Sequence, residues 1–288
     1  MPCVKLTILN GMADRDIAAS MDASVNWGLT ELDLKDSLFG KDVSELSDEE
    51  AEGVRDLARA RGLHVTCLSS KLFQEDLEAG EDFFRARALG PLDRLLRTAR
   101  VLEPTFVRLL PPRTLPRAKI PDGAAHLRDS HPWLVGLFRE AVDRIAAAGF
   151  SATLENERGG CILAHPAEIR TFFGMVDRPG RLSLTWDAAN MWQAGTLPDL
   201  AVYESLKPLI RYVHVKGGRA DTKGGIWRSA LSDSSWPVLE VVRRVVDDGV
   251  SPVICLNPSH GKRPQGFSDA GLVERDIQFL RENVPGIE

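Results

Sequence analysis

Eight short runs rich in leucine or β-branched residues recur along the chain, and a helical pattern follows each. The runs are Cys3–Leu9, Leu29–Leu34, Leu63–Leu68, Thr105–Leu110, Ser151–Glu155, Leu182–Asp187, Arg211–Lys216 and Pro252–Asn257. Each has the length of a strand. They begin roughly 25 to 45 residues apart, which leaves room for a crossover helix every time. Eight strand–helix units is the count of a parallel (β/α)8 TIM barrel, an α/β fold whose active site lies at the C-terminal mouth. No repeat, low-complexity tract or linker divides the 288 residues, so residues 1–288 are read as a single barrel domain. A doubly wound sheet is the runner-up. It would want a GxGxxG turn after the first strand, and Asn10-Gly11-Met12-Ala13-Asp14 does not supply one.

The helical signals are local and physical. Ser47-Asp48-Glu49-Glu50 reads as a capping box, with Val54, Leu57 and Ala58 at core spacing and Gly62 as the stop. Leu134, Leu137, Phe138, Ala141, Val142 and Ile145 form an apolar stripe that ends at Gly149. Ser235 suits a cap, with Pro237 in the first turn, Val238, Val241, Val242 and Val245 on one face, and Gly249 at the end. Two long stretches read as loops over the mouth: Pro111–Pro132, rich in proline and basic residues, and Gly217–Ser234, with four glycines.

Composition removes several classes. A net charge of −5 disfavours a nucleic-acid partner, which needs a strongly basic face. No apolar run reaches the roughly 18 residues of a membrane span, and the first residues do not look like a signal peptide. No membrane partner is therefore expected. Cys3, Cys67, Cys161 and Cys255 are far apart and make no CxxC pair. Free thiols in a reducing cytoplasm are expected.

The polar residues fall at the ends of the later strands. Run five ends in Glu155-Asn156-Glu157, run six in Asp187-Ala188-Ala189-Asn190, run seven in His214-Val215-Lys216, and run eight in Asn257-Pro258-Ser259-His260. In a parallel barrel these ends converge. A Glu, an Asp and a His from consecutive strands make a mixed oxygen and nitrogen set, suited to Mn, Mg, Co or Zn as the divalent ion. Each residue also has a structural alternative. Glu155 could pair with Arg158, Asp187 could cap the next turn, and His214 could be a hydrogen-bonded core histidine.

The stretch from about Ala152 to His260 resembles the xylose isomerase-like barrel superfamily of sugar phosphate isomerases and epimerases. Leu154-Glu155-Asn156 looks like its "LEN" motif. Trp186-Asp187-Ala188-Ala189-Asn190 looks like its "D-x-x-N" turn, and Val213-His214-Val215-Lys216 looks like "H-x-K". The resemblance implies one divalent metal ion held by Glu155, Asp187 and His214. The fourth ligand position, often Glu in the family, is Asn257 here. An amide oxygen can ligate a hard cation but carries no charge and takes no proton at neutral pH. The two-base epimerase scheme then loses one partner.

The expected chemistry is isomerase or epimerase work, or a related lyase or dehydratase reaction, on a sugar, keto-sugar or cyclitol. Glu155 would abstract a proton next to a carbonyl, and Lys216 would donate a proton or hold an oxyanion. Lys71, Arg108 and Arg219 would bind the substrate, Trp192 and Trp227 would stack on a sugar ring, and Glu157, Asn190 and His260 complete the substrate-binding set. The alternative is a carbohydrate-binding member of the fold without catalysis, with Asn257 as the feature that supports it. An abasic-site DNA nuclease shares this barrel but needs a histidine-rich zinc cluster, and the chain has six histidines in all. The sequence leaves open whether the chain forms a homo-oligomer.

Overall fold

The computed structural model describes residues 3–258, 261–263, 265–266 and 268–288. Eight parallel strands form the barrel: β1 (Lys5–Ile8), β2 (Glu31–Leu34), β3 (His64–Ser69), β4 (Phe106–Leu109), β5 (Ser151–Glu155), β6 (Leu182–Asp187), β7 (Ile210–Val215) and, after a two-stranded hairpin of β8 (Arg219–Ala220) and β9 (Ile226–Trp227), β10 (Val253–Leu256). Their order is β1-β10-β7-β6-β5-β4-β3-β2. A parallel bridge between Leu9 and Asp33 brings the two outer strands together and closes the ring. The eight runs read from the sequence are these eight strands.

Around the barrel lie α1 (Ile17–Asn26), α2 (Asp48–Arg59), α3 (Glu81–Leu102), α4 (Gly123–Ser130), α5 (Trp133–Ala147), α6 (Pro166–Val176), α7 (Ala188–Gln193), α8 (Leu200–Leu206), α9 (Val238–Asp248) and α10 (Asp269–Asn283). The capping box at Ser47 is formed: its hydroxyl accepts from Glu50 N at 3.1 Å, and the Glu50 carboxylate accepts from Ser47 N at 2.8 Å. Gly62 then turns the chain at φ +67°, where a side chain would be strained. The stripe on α5 is buried at all six positions. No helix among the described residues is long and apolar enough to cross a membrane.

Two local readings change. The stretch Pro111–Pro132 contains α4, because Asp122 accepts from Ala124 N and Ala125 N and so starts a helix within an otherwise basic, proline-rich segment. Ser235 does not cap α9. Its hydroxyl accepts from Ala220 N at 3.1 Å, and Pro237 is the cap residue, with no side-chain cap bond.

Alternation along the strands divides the side chains into two populations. One set packs outward against the helices and makes the main core. The other points inward. Leu9, Cys67, Phe106, Tyr212, Val253 and Cys255 form a separate apolar plug in the barrel. The Phe106 and Tyr212 rings stack with centroids 5.7 Å apart. Three of the four free cysteines, Cys67, Cys161 and Cys255, are buried, as expected.

The segment after β7 is held down on the rim. A Cβ on Gly217 would sit 2.2 Å from the Ser229 carbonyl oxygen, and one on Gly218 would sit 2.8 Å from the Trp192 ring, so only glycine lets the backbone approach this closely. The Leu231 amide donates to Asp276 on α10 at 2.8 Å. Burial pushes the Asp276 carboxyl up to about 7 from an ordinary 3.8. Between those values the folded chain keeps a proton that the unfolded chain has released. The stability from this group is therefore full below about pH 4 and is lost as pH rises through about 7. Asp276→Asn keeps an acceptor for Leu231 and removes the charge. In urea melts at pH 8.5 it should be more stable than the parent by up to about 4 kcal/mol, with no difference near pH 4. An equal gain at both pH values would refute the titration of Asp276.

Candidate functional site

The inward positions above the plug are charged. Asp33 on β2, Arg108 on β4, Glu155 on β5, Asp187 on β6 and His214 on β7 are buried side by side, and Lys216 and Asn257 stand at the ends of β7 and β10. Register breaks between Leu32 and Asp33, and between Leu184 and Thr185, fall in the strands that deliver the two aspartates. Such irregularities re-aim side chains near sites.

Every carboxylate in this layer faces a cation. Glu155 accepts a very short bond from Arg108 Nη1 through Oε2, and its Oε1 lies 3.1 Å from His214 Nδ1. Arg108 is itself anchored, since Nη2 donates to the Ser69 and Ser70 carbonyls at 3.0 and 3.1 Å. His214 Nε2 is 3.3 Å from Asp33 Oδ2 without hydrogen-bond geometry, and the Tyr212 hydroxyl donates to that same oxygen at 2.8 Å. Lys216 Nζ donates to Asp187 Oδ2 at 2.7 Å and to Asn190 Oδ1 at 2.8 Å. Asn257 Nδ2 stands 3.5 Å from Asp187 Oδ2.

Asn156 and Asn190 set the backbone under these groups. Asn156 bridges to β6 twice, with Nδ2 donating to Asp187 O at 2.9 Å and Oδ1 accepting from Asp187 N at 2.8 Å. Asn190 Nδ2 donates to Asn156 O at 3.1 Å, and Asn190 N donates to Asp187 Oδ1 at 2.8 Å. Asp187 therefore caps α7 and belongs to the charged layer at once. The capping role and the site role coexist because the two oxygens are used separately.

The environment sorts the titrating groups. Burial alone would raise the Glu155 carboxyl, but Arg108 and then His214 hold it well below the usual carboxylate range. Burial works against charge on His214, and the Glu155 carboxylate together with the nearby Asp33 carboxylate outweighs it, lifting the imidazole to about 9. Burial pushes Asp187 up against the pull of Lys216. Glu157 has its pKa raised by burial and then by the Glu155 charge. Lys35, just past β2, has its pKa lowered by burial and then by the Arg108 charge.

Glu155, Asp187 and His214 each present a ligand atom within 4.8 Å of the others, so the expected metal-ligand group is assembled. Its charges do not fit a divalent ion in this arrangement. His214 lies between two carboxylates that favour its protonated form, and it would have to give up that proton to ligate, since an imidazolium has no lone pair to give. Lys216 sits on the Asp187 oxygen that a metal would use, and Arg108 takes one oxygen of Glu155. Asn257 adds no negative charge to offset a second cation.

The remaining expected residues are spread more widely. Lys71 is half-exposed and salt-bridged to Asp42 at 2.6 Å. Arg219 is exposed on the β8–β9 hairpin. Trp192 packs against Gly218. Trp227 donates through Nε1 to Asp221 at 2.9 Å, with Lys262 Nζ 5.3 Å above its ring, so it braces the hairpin. His260 lies outside the described residues. Glu157 is half-buried beside the charged layer. Four members of the site were not expected: Asp33, Tyr212, Asn156 and Lys35. A signal for two of them exists in Glu31-Leu32-Asp33-Leu34-Lys35, where charged residues alternate with leucine at period two.

A family model described as xylose isomerase-like TIM barrel matches residues 23–283. No curated protein matches this sequence. Solved structures share the fold at low identity. A probable 3-DHS dehydratase from Bacillus anthracis, 14% identical, superposes with a TM-score of 0.73 over 97% of this chain and 98% of its own. The 3-keto-D-glucoside 4-epimerase of E. coli, 15% identical, gives 0.71 over 97% and 99%. A xylose isomerase-like TIM barrel protein from Mycobacterium smegmatis, in complex with magnesium and 16% identical, gives 0.69 over 97% and 95%. At such identities the likeness speaks for the fold alone.

Proposed function

Because this chain belongs to the xylose isomerase-like TIM barrel family, we propose that it is an enzyme that moves a proton next to a carbonyl in a sugar, keto-sugar or cyclitol. Structural neighbours named as a dehydratase and an epimerase support this substrate class. The observation that carries the reading is the charge-balanced layer at the mouth, with Glu157 and Lys35 beside it.

Glu155 is a poor base here, since Arg108 and His214 keep its carboxylate fully engaged. Glu157 suits the role better: its affinity for a proton is raised and it is only half-buried. Its carboxylate takes the proton from the carbon next to the carbonyl. The ammonium of Lys216 or Lys35 donates a hydrogen bond to the carbonyl oxygen as it gains negative charge. Return of the proton to the former carbonyl carbon, with the hydroxyl proton passing to the old carbonyl oxygen, isomerises the substrate, and delivery of the proton from Glu157 to a departing β-hydroxyl releases water and dehydrates it; epimerisation would need a second acid on the opposite face. Arg108, His214, Asn156 and Asn190 keep the layer in place.

The divalent-metal reading is the other form of this proposal, with Glu155, Asp187, His214 and Asn257 as the ligands. The pairing of Lys216 with Asp187 speaks against it. Asn257 favours a second reading, carbohydrate binding without turnover. One experiment separates all three. The chain is incubated in D2O with a panel of keto-sugars and keto-cyclitols, with and without EDTA, and followed by proton NMR. Exchange of a C–H next to the carbonyl should persist in EDTA and fall about 100-fold or more in Glu157→Gln. Exchange abolished by EDTA would restore the metal. Line broadening without exchange would leave only binding.

A further inference from the structure

A second cluster of metal-type side chains lies on the rim, outside the layer just described. Glu78 sits in a 3-10 turn, Leu77–Ala79, in the connection after β3. His126 is on α4, and His131 is the residue that ends it before α5. Two separate connections, those after β3 and β4, must converge for these residues to meet, and the structure shows what holds them. Leu77 N donates to Arg113 O at 2.9 Å, which stitches the connections after β3 and β4 together. Thr114 Oγ1 donates to Glu78 Oε1 at 3.1 Å. Glu168 on α6 accepts from Gly123 N and Arg117 Nη2, both at 2.7 Å, and anchors the start of α4. A Cβ on Gly123 would sit 2.6 Å from Ile162, so the helix is seated tightly.

The two imidazoles aim the same atom at the same oxygen. His131 Nε2 is 3.6 Å and His126 Nε2 is 3.8 Å from Glu78 Oε1. Both nitrogens are buried and neither has a hydrogen-bond partner. His131 is 9% exposed, so solvent does not serve it. The rings meet edge to face with centroids 5.0 Å apart, and Trp133 also meets His131 edge to face at 5.8 Å. Two buried nitrogens and a carboxylate oxygen thus face one another beyond hydrogen-bonding range, which is normally within about 3.2 Å. Buried polar atoms left in this way are rare and call for a partner. A cation between them supplies one. In a four-coordinate zinc site with bonds of about 2.0–2.1 Å, ligand atoms stand roughly 3.3–3.5 Å apart. The three atoms here lie within 4.8 Å of one another, so a small inward movement closes the site.

We propose that Glu78, His126 and His131 form a rim site for a borderline divalent cation of the zinc type, with a fourth position open toward solvent. Two imidazoles and one carboxylate select the later first-row metals over magnesium or calcium. The exposed side of Glu78 leaves room for water. The bound ion joins the connections after β3 and β4 to the α4–α5 junction, and so acts as a clamp on one side of the mouth. This proposal is independent of the reaction proposed above.

The test uses the full chain, stripped with chelator and dialysed. Zinc is titrated against a chromophoric competitor, and cobalt(II) is added separately to record its ligand-field spectrum. One zinc per chain is expected, with a rise in Tm. Cobalt should give the intense visible bands of a four- or five-coordinate ion. His126→Ala and His131→Ala should each weaken zinc binding about 100-fold or more, with Asp187→Ala unchanged and magnesium failing to compete. No zinc binding by the unaltered chain would overturn the proposal, and so would unchanged binding in the double histidine variant. The weak spectrum of six-coordinate cobalt in the unaltered chain would also count against it, without relying on any variant folding. Loss of zinc in Asp187→Ala alone would move the metal to the barrel mouth.

Discussion

Arg108→Met should cost the fold about 3–5 kcal/mol in urea unfolding at pH 7, because it leaves the Glu155 carboxylate buried without its cation. The Ser69 and Ser70 carbonyls lose their donor in the same substitution. Arg108→Lys should recover little. An ammonium cannot reach Glu155 and two carbonyls at once with the planar fork that the guanidinium provides. The companion change Glu155→Gln removes the stranded charge, so the double variant should be more stable than Arg108→Met alone. If the two single losses simply add, Arg108 and Glu155 do not depend on each other, and the charge-balanced layer is the wrong description.

The second large effect is a gain. The parent chain should show no divalent ion bound at the barrel mouth, for reasons of charge. Lys216→Met frees the Asp187 oxygen now 2.7 Å from the ammonium, and Asn257→Glu adds a carboxylate at the neighbouring strand end. Together they turn a cation-filled site into an anionic one. The double variant should bind Mn2+ at least about 100-fold more tightly than the parent, while either single change does less. Water-proton relaxation read against Mn2+ concentration measures this, with the rim variants His126→Ala and His131→Ala as background. Equal Mn2+ affinity in parent and double variant would mean that Lys216 and Asn257 do not govern metal entry.

Much of this was legible in the sequence, for physical reasons. The eight strands showed because buried parallel strands are written as short apolar runs between helix stops. Glu155, Asp187, His214 and Lys216 showed because each stands where such a run ends. What pairs them did not show. Arg108 reads as a substrate ligand, and its pairing with Glu155 shows only when β4 and β5 are placed side by side. Asp33 and Tyr212 are 179 residues apart and meet inside the barrel. Lys35 had the same period-two signal as Lys216, but it lies on the second strand, outside the part of the sequence where the motifs drew attention. The rim cluster carries no ligand spacing, since its carboxylate comes from a different connection than its two histidines. Helix α4 went unread because proline and basic residues nearby masked the cap at Asp122.

The pairing of Arg108 with Glu155, Lys216 with Asp187, and His214 with its two carboxylates also bears on how the chain reaches its final form. A barrel centre lined only with metal ligands depends on supply: without the ion, like charges face each other and the interior is incomplete. Here the counter-charges are encoded in the polypeptide itself. If the mouth holds no metal, as proposed, the centre of this barrel has no separate apo form, and its assembly would not draw on the trace-metal pool of its surroundings.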